Sequence, residues 1–98
     1  MQLNSVIHGD CENVLREFNN NSIDICICSP PYKNSDGFLN IDFNCIFQEL
    51  FRVLKDNSLF FLNFGHLSED KFRPFYVCNI ARDCGFKLND TITWQKDH

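Results

Sequence analysis

Glycine and proline are scarce in this 98-residue chain, at four and three residues, and no repeat, low-complexity tract or linker interrupts it. That excludes a fibrous or largely disordered polypeptide. Positive charge is also short, with nine Lys and Arg against thirteen Asp and Glu and a formal net charge of −4. Such a balance has the wrong sign for a self-sufficient nucleic-acid binder, so any contact with DNA must be local or supplied by other protein. No stretch approaches the roughly 18 unbroken apolar residues of a membrane span, and the opening MQLNSVIHGD lacks the basic-then-apolar order of a signal peptide. A cytoplasmic location and no membrane association are expected.

What the chain has is aromatic and aliphatic weight. Hydrophobic residues make up 44% of it and eleven are Phe, enough for one modest core and hence a single domain over 1–98. Its six cysteines lie within apolar periodic segments rather than loops, the placement of reduced, small core residues rather than of a disulfide framework. Cys26 and Cys28 are spaced C-x-C on one side of a strand, poor geometry for a zinc pair without a second pair elsewhere.

Periodicity divides the chain into alternating elements. SVIHGD ends a short strand, and CENVLREF carries Val14, Leu15 and Phe18 at helical spacing, with Asp10 placed to cap the helix. Asn19-Asn20-Asn21-Ser22 breaks it. IDICIC follows as a strand that is apolar on both faces, the mark of a strand covered on two sides. From Asp42 a helical stripe runs through Ile46, Phe47, Leu50, Phe51 and Leu54, Lys55-Asp56-Asn57 ends it, and LFFLNF reads as another buried strand. Pro74 suits the first turn of a third helix with Tyr76, Val77, Ile80 and Ala81 inside, Gly85 can terminate it, and LNDTITW alternates as a last strand. The expected architecture is α/β, a mostly parallel sheet in β-α-β-α-β-α-β order. In such a sheet ligands sit beyond the carboxyl ends of the strands, and both His8-Gly9-Asp10 and Ser29-Pro30-Pro31-Tyr32 fall at such ends. The segment 33–41, KNSDGFLNI, is the best placed to be mobile.

Ser-Pro-Pro-Tyr has its own chemistry. Two prolines cannot continue a central strand, because neither has an N–H and each fixes its φ. The Ser29 hydroxyl and the Pro30 carbonyl can both face the rim as acceptors for an amino group, and the Tyr32 ring can offer a flat face to an aromatic partner. An exocyclic amine on a base is a weak nucleophile because its lone pair is delocalised into the ring. Acceptors that hold its hydrogens favour the pyramidal nitrogen formed during attack, a stabilisation confined to the transition state. An isolated SPPY is equally an ordinary turn after a strand, with Tyr32 a half-buried aromatic.

The wider context departs from that plain reading. HGDCENVLREF, SIDICICSPPY, FQELFRVLKDNSLFFLNFGH and DCGFKLNDTITWQK, in this order and over nearly the whole chain, closely resemble the amino-methyltransferases of DNA, in particular the permuted β-class. The resemblance implies a partial Rossmann-like methyltransferase fold and S-adenosylmethionine as methyl donor. It implies double-stranded DNA as partner, in a restriction-modification setting. Ser29, Pro30, Pro31 and Tyr32 would be the catalytic residues, with Ser29 and the Pro30 carbonyl binding the target amine and Tyr32 stacking on a flipped base. Asp10 and Cys11 would lie near the cofactor's adenosine, a role compatible with Asp10 as a helix cap. His66 and Trp94 match family phrases and read better as structural residues. Ser rather than Asp at position 29 leans toward cytosine N4 over adenine N6.

One part of the pattern is missing. The β-class places a Phe-x-Gly-x-Gly cofactor loop and a target-recognition region after the segment seen here, and neither occurs among these residues, whose glycines are Gly9, Gly37, Gly65 and Gly85. The expectation is therefore a catalytic-motif half, inactive by itself, that works as a homo-oligomer or with a partner chain carrying the glycine-rich loop. The alternative is a non-catalytic split half or degenerate remnant that serves only as a folded assembly module.

Overall fold

The computed structural model describes residues 4–30, 41–64 and 71–92 together with the backbone at 33–34 and 37–38. Pro31, Tyr32, His66 and Trp94 lie outside the described residues. The elements are α1 (Cys11–Arg16), β1 (Ile23–Cys28), β2 (Lys33–Asn34), β3 (Gly37–Phe38), α2 (Phe43–Val53), β4 (Leu54–Leu62) and α3 (Arg73–Asp83). No described helix is long and apolar enough to cross a membrane.

β1 and β4 form a parallel pair, with Ile25 opposite Leu59, Cys26 opposite Phe60, Ile27 opposite Phe61 and Cys28 opposite Leu62. The crossover between them is α2, as a parallel pair requires. The register slips between Ile23 and Ile25, where residues 55–58 of β4 lie opposite Asp24 alone. There Asn57 is left-handed at φ 64° and the Ser58 hydroxyl donates to the Lys55 carbonyl at 2.6 Å, so the expected turn is present inside the strand's span.

α2 is the centre of the core. Phe43, Phe47, Leu50 and Val53 are buried along it, and Val77 of α3 meets them from one side. The Phe47 ring stands edge-on to Phe60 of β4 at 5.6 Å, and Phe43 to Phe64 at 6.1 Å. The apolar stripe expected on α2 is rotated slightly, since Phe43 and Val53 are enclosed while Phe51 is half exposed. On α3, Val77 is fully buried, but Tyr76, expected inside, faces solvent. Both corrections follow from where α3 crosses α2, which periodicity alone does not contain.

Two tertiary clamps fix these elements. The Arg52 guanidinium at the end of α2 donates to the carbonyls of Leu15 and Phe18 at 2.8 and 2.7 Å and to Asn20 Oδ1 at 2.8 Å. It thereby ties the end of α1 and the turn after it to the end of α2. At the end of α3, Gly85 N donates to Arg82 O at 3.0 Å and Phe86 N to Ala81 O at 3.1 Å, the pair of bonds of a Schellman motif. Gly85 sits at φ 114°, and a Cβ there would meet the Phe51 ring at 2.8 Å. The reversal returns Phe86 to the core, 5.2 Å from Phe51 and 5.1 Å from Phe60.

Four expectations change. Residues 5–8 form no strand, and Val6 is 99% exposed; residues 86–92 form none either, with Leu88 and Ile92 exposed. The middle of the expected order, α-β-α-β-α, is present without these outer strands among the described residues, because alternation gives a segment strand propensity but a ladder also needs a neighbouring edge in register. The segment 33–41, read as a loop, contains the antiparallel ladder β2–β3, pairing Lys33 with Phe38 and Asn34 with Gly37, which leaves the expectation of mobility untested. The cysteines are free thiols as expected, but none is fully buried: Cys26 and Cys84 pack against the edge of the core, while Cys11 and Cys78 are exposed. Finally, IDICIC is covered on one face only: Cys26 packs against the core while Ile25 and Ile27 are 51% and 76% exposed.

Candidate functional site at the carboxyl rim

β1 leads to α2 and β4 leads to α3, so the N-terminal ends of both helices lie at the carboxyl rim of the parallel pair. Ser29 and Pro30 continue directly from Cys28 at that rim. Cys28 pairs with Leu62, which places Ser29 beside Asn63. Asn63 N donates to the Cys28 carbonyl at 2.8 Å, and its Nδ2 donates to Ser29 Oγ at 3.3 Å. One hydroxyl lone pair is therefore occupied, and the second remains available for an incoming donor. The Pro30 carbonyl accepts no hydrogen bond among the described residues. Asn63 was not identified from sequence. The available signal was the parallel register, which sets the residue after LFFL beside the residue after ICIC.

Asp10 is the N-cap of α1. Its Oδ1 accepts from Glu12 N at 3.0 Å and Asn13 N at 3.4 Å, and its backbone is extended, as a cap requires. Gly9 lies so close to Val14 that a Cβ would meet its methyl at 2.8 Å, so the turn into α1 is tightly packed. Beside it, a cavity of about 270 Å³ is lined largely by apolar groups, among them Gly9, Cys11, Val14, Cys28, Ile46 and Leu50. The structure thus brings Cys11 and the end of β1 to one cavity.

The thiols here are not activated. Burial pushes Cys26 up to about 11, with the neighbouring Cys28 adding to the effect. Cys28 is raised by burial and then by Cys11, and Cys11 by burial and then by Asp10. Cys45 is raised to about 11 first by its hydrogen bond to Asp42, whose carboxyl is held low by the same contact. Reactive cysteines need cationic surroundings that lower the pKa, and these four have the opposite.

The sequence is similar to two curated proteins. It is 29% identical over 114 aligned residues to the type II methyltransferase M.MwoI of Methanothermobacter wolfeii, covering 93% of this chain and 17% of that protein. It is 30% identical over 82 residues to the orphan methyltransferase M.BamHII of Bacillus amyloliquefaciens, covering 78% of this chain and 31% of that protein. The chain is a relative of methyltransferases. It spans less than a third of the length of either one. No protein-family model and no solved structure matches it significantly.

Proposed function

We propose that this chain carries the amine-binding part of a DNA amino-methyltransferase of the permuted β-class, acting on the exocyclic nitrogen of a flipped base. The observation that carries the proposal is Ser29-Pro30 at the carboxyl end of a parallel strand, with Ser29 Oγ held by Asn63, in a chain similar to methyltransferases. Ser29 Oγ and the Pro30 carbonyl accept the two amine hydrogens. Tyr32, by its sequence position, stacks on the base. As the nitrogen attacks it gains positive charge, two fixed acceptors stabilise that state more than the planar ground state, and the surplus proton then passes to solvent water. The raised thiols support chemistry at an amine over chemistry that begins with a cysteine thiolate.

S-adenosylmethionine, when bound, supplies an electrophilic methyl group. The residues present fit one end of it: the apolar cavity beside Gly9 and Cys11 can take a flat ring, and Asp10 keeps Oδ2 uncommitted among the described residues. No glycine-rich loop for the methionine end occurs in these 98 residues. The reading therefore includes that loop, and the target-recognition region, supplied by further protein on a partner chain; any self-association is separate and adds no loop. Cytosine N4 is favoured over adenine N6, on Ser29, and a cytoplasmic setting follows from DNA as substrate.

A second reading has its own observation. Ile25, Ile27, Leu59 and Phe61 leave one sheet face apolar and open, as an assembly module without catalysis would also do. Mass analysis of modified nucleosides, after the chain is combined with a glycine-loop partner, separates the readings. N4-methylcytosine is expected; N6-methyladenine alone overturns the base preference, and no methylated base in any combination leaves the assembly reading.

A further inference from the structure

A second cavity, of about 390 Å³, opens where the N-terminal ends of α2 and α3 meet, lined by Asp42, Phe43, Asn44, Arg73, Tyr76 and Ile80 among others. The Arg73 guanidinium forms its cationic wall, lying over the Tyr76 ring at 5.2 Å to the centroid. Arg73 Nε is buried yet has no hydrogen-bond partner among the described residues. An unsatisfied buried guanidinium N–H is costly, so this atom calls for an acceptor that none of the described residues provides.

The surroundings favour an oxyanion. α3 has no side-chain cap and no acidic residue in its first turn, so the positive end of its dipole adds to the charge of Arg73, its first residue. Asp42 is the one carboxylate in the lining, and its Oδ1 is already bound by Cys45 N at 3.1 Å as the cap of α2. Tyr76 lines the cavity with its ring half exposed, and Phe75 beside it in sequence is exposed as well, so the Arg73 guanidinium is accompanied by aromatic side chains. That combination suits a nucleic-acid strand, whose phosphates alternate with stackable bases.

We propose that the cavity between the N-terminal ends of α2 and α3 is a phosphate-binding site, with Arg73 as its principal ligand, that holds the backbone of the DNA strand at the rim occupied by Ser29. The identity of the strand as DNA rests on the function proposed above; the phosphate site does not. Both helices start at the carboxyl rim, so a phosphate here lies on the same end of the sheet as Ser29 and Pro30.

Arginine Nε–H signals are resolved in nitrogen-edited NMR spectra, and the 98-residue chain can be titrated with dimethyl phosphate, inorganic phosphate, acetate and a short single-stranded oligonucleotide in turn. A saturable shift of the Arg73 Nε–H with both phosphates and with the oligonucleotide is expected. In Arg73→Lys, which keeps the charge and removes Nε–H, the accompanying shifts of the Asn44 and Tyr76 amides should disappear. Arg73→Gln should lower the slope of log affinity against log salt for the oligonucleotide by about one. No saturable shift with any phosphate, or a response to acetate alone, overturns the site. A response to the small phosphates without one to the oligonucleotide overturns its assignment to a nucleic-acid strand. Phosphate and oligonucleotide responses in a protein that never transfers methyl groups would uphold this site while the proposed function fails.

Discussion

The two faces of the β1–β4 pair carry the same kind of residue and meet opposite fates. On one, Cys26, Phe60 and Leu62 pack against Phe47 and its neighbours on α2; on the other, Ile25, Ile27, Leu59 and Phe61 are exposed. The β4 residues alone cannot distinguish them, since each face carries one Phe and one Leu. The difference lies in connectivity: α2, the crossover helix, covers one face and is itself flanked by α1 and α3. The packed face also serves the candidate site, because the register it fixes is what sets Asn63 beside Ser29.

The sharpest way to break this comparison is to cut the same residue type from each face. Phe47→Ala should destabilise the fold by about 3–5 kcal/mol, as expected for a fully buried Phe, whereas Phe61→Ala, at a site 41% exposed, should cost no more than about 1 kcal/mol. Urea denaturation of both variants reads the contrast directly. Equal losses would mean that the open face is packed in solution.

Gly85→Ala tests how the packed side is closed. A Cβ at φ 114° with the Phe51 ring 2.8 Å away should cost about 1–3 kcal/mol, measurable as a lowered melting temperature. A neutral result would show that the turn returning Phe86 to the core can rearrange freely.

Much of this was legible in the chain. The Gly85 termination, the Asp10 cap and the two strands follow from local rules whose physics is contained in a few consecutive residues. Asn63, Arg52 and Arg73 were not legible, because their roles arise from partners 34, 37 and 32 residues away or from a cavity shared by two helices. The failed outer strands have the same origin. Val6 and Ile92 carry strand propensity, yet the outer edges of the two-stranded β1–β4 sheet stay unpaired among the described residues, so propensity alone did not bring them into register. Proline marked where β1 must end; the neighbour of that end was set by register.

The thiol at Cys26 distinguishes the faces by pH. Its folded pKa is raised from 9.0 to about 11 by burial. The folded state therefore holds the proton more tightly, so this contribution to stability is full below pH 9 and is lost as pH rises toward 11. Stability measured across that interval should fall more steeply for the wild type than for Cys26→Ala. Identical slopes would place the thiol in water, on the wrong side of the sheet.

The smallest effect is expected on the open face. Ile27→Thr should leave monomer stability within about 0.5 kcal/mol of the wild type, while any concentration-dependent association seen by sedimentation should weaken. Unchanged association would remove this face from the assembly interface.

The central claim is that Ser29, at the end of the packed strand, clamps the amine that receives the methyl group. The direct test is labelled methyl transfer by the chain combined with a glycine-loop partner, comparing wild type with Ser29→Ala while S-adenosylmethionine binding is measured in parallel. The account predicts that turnover falls by about a hundredfold or more, the scale of removing a preorganised transition-state contact, with cofactor affinity nearly unchanged. Full turnover by Ser29→Ala would contradict it and return Ser-Pro-Pro-Tyr to the status of a turn.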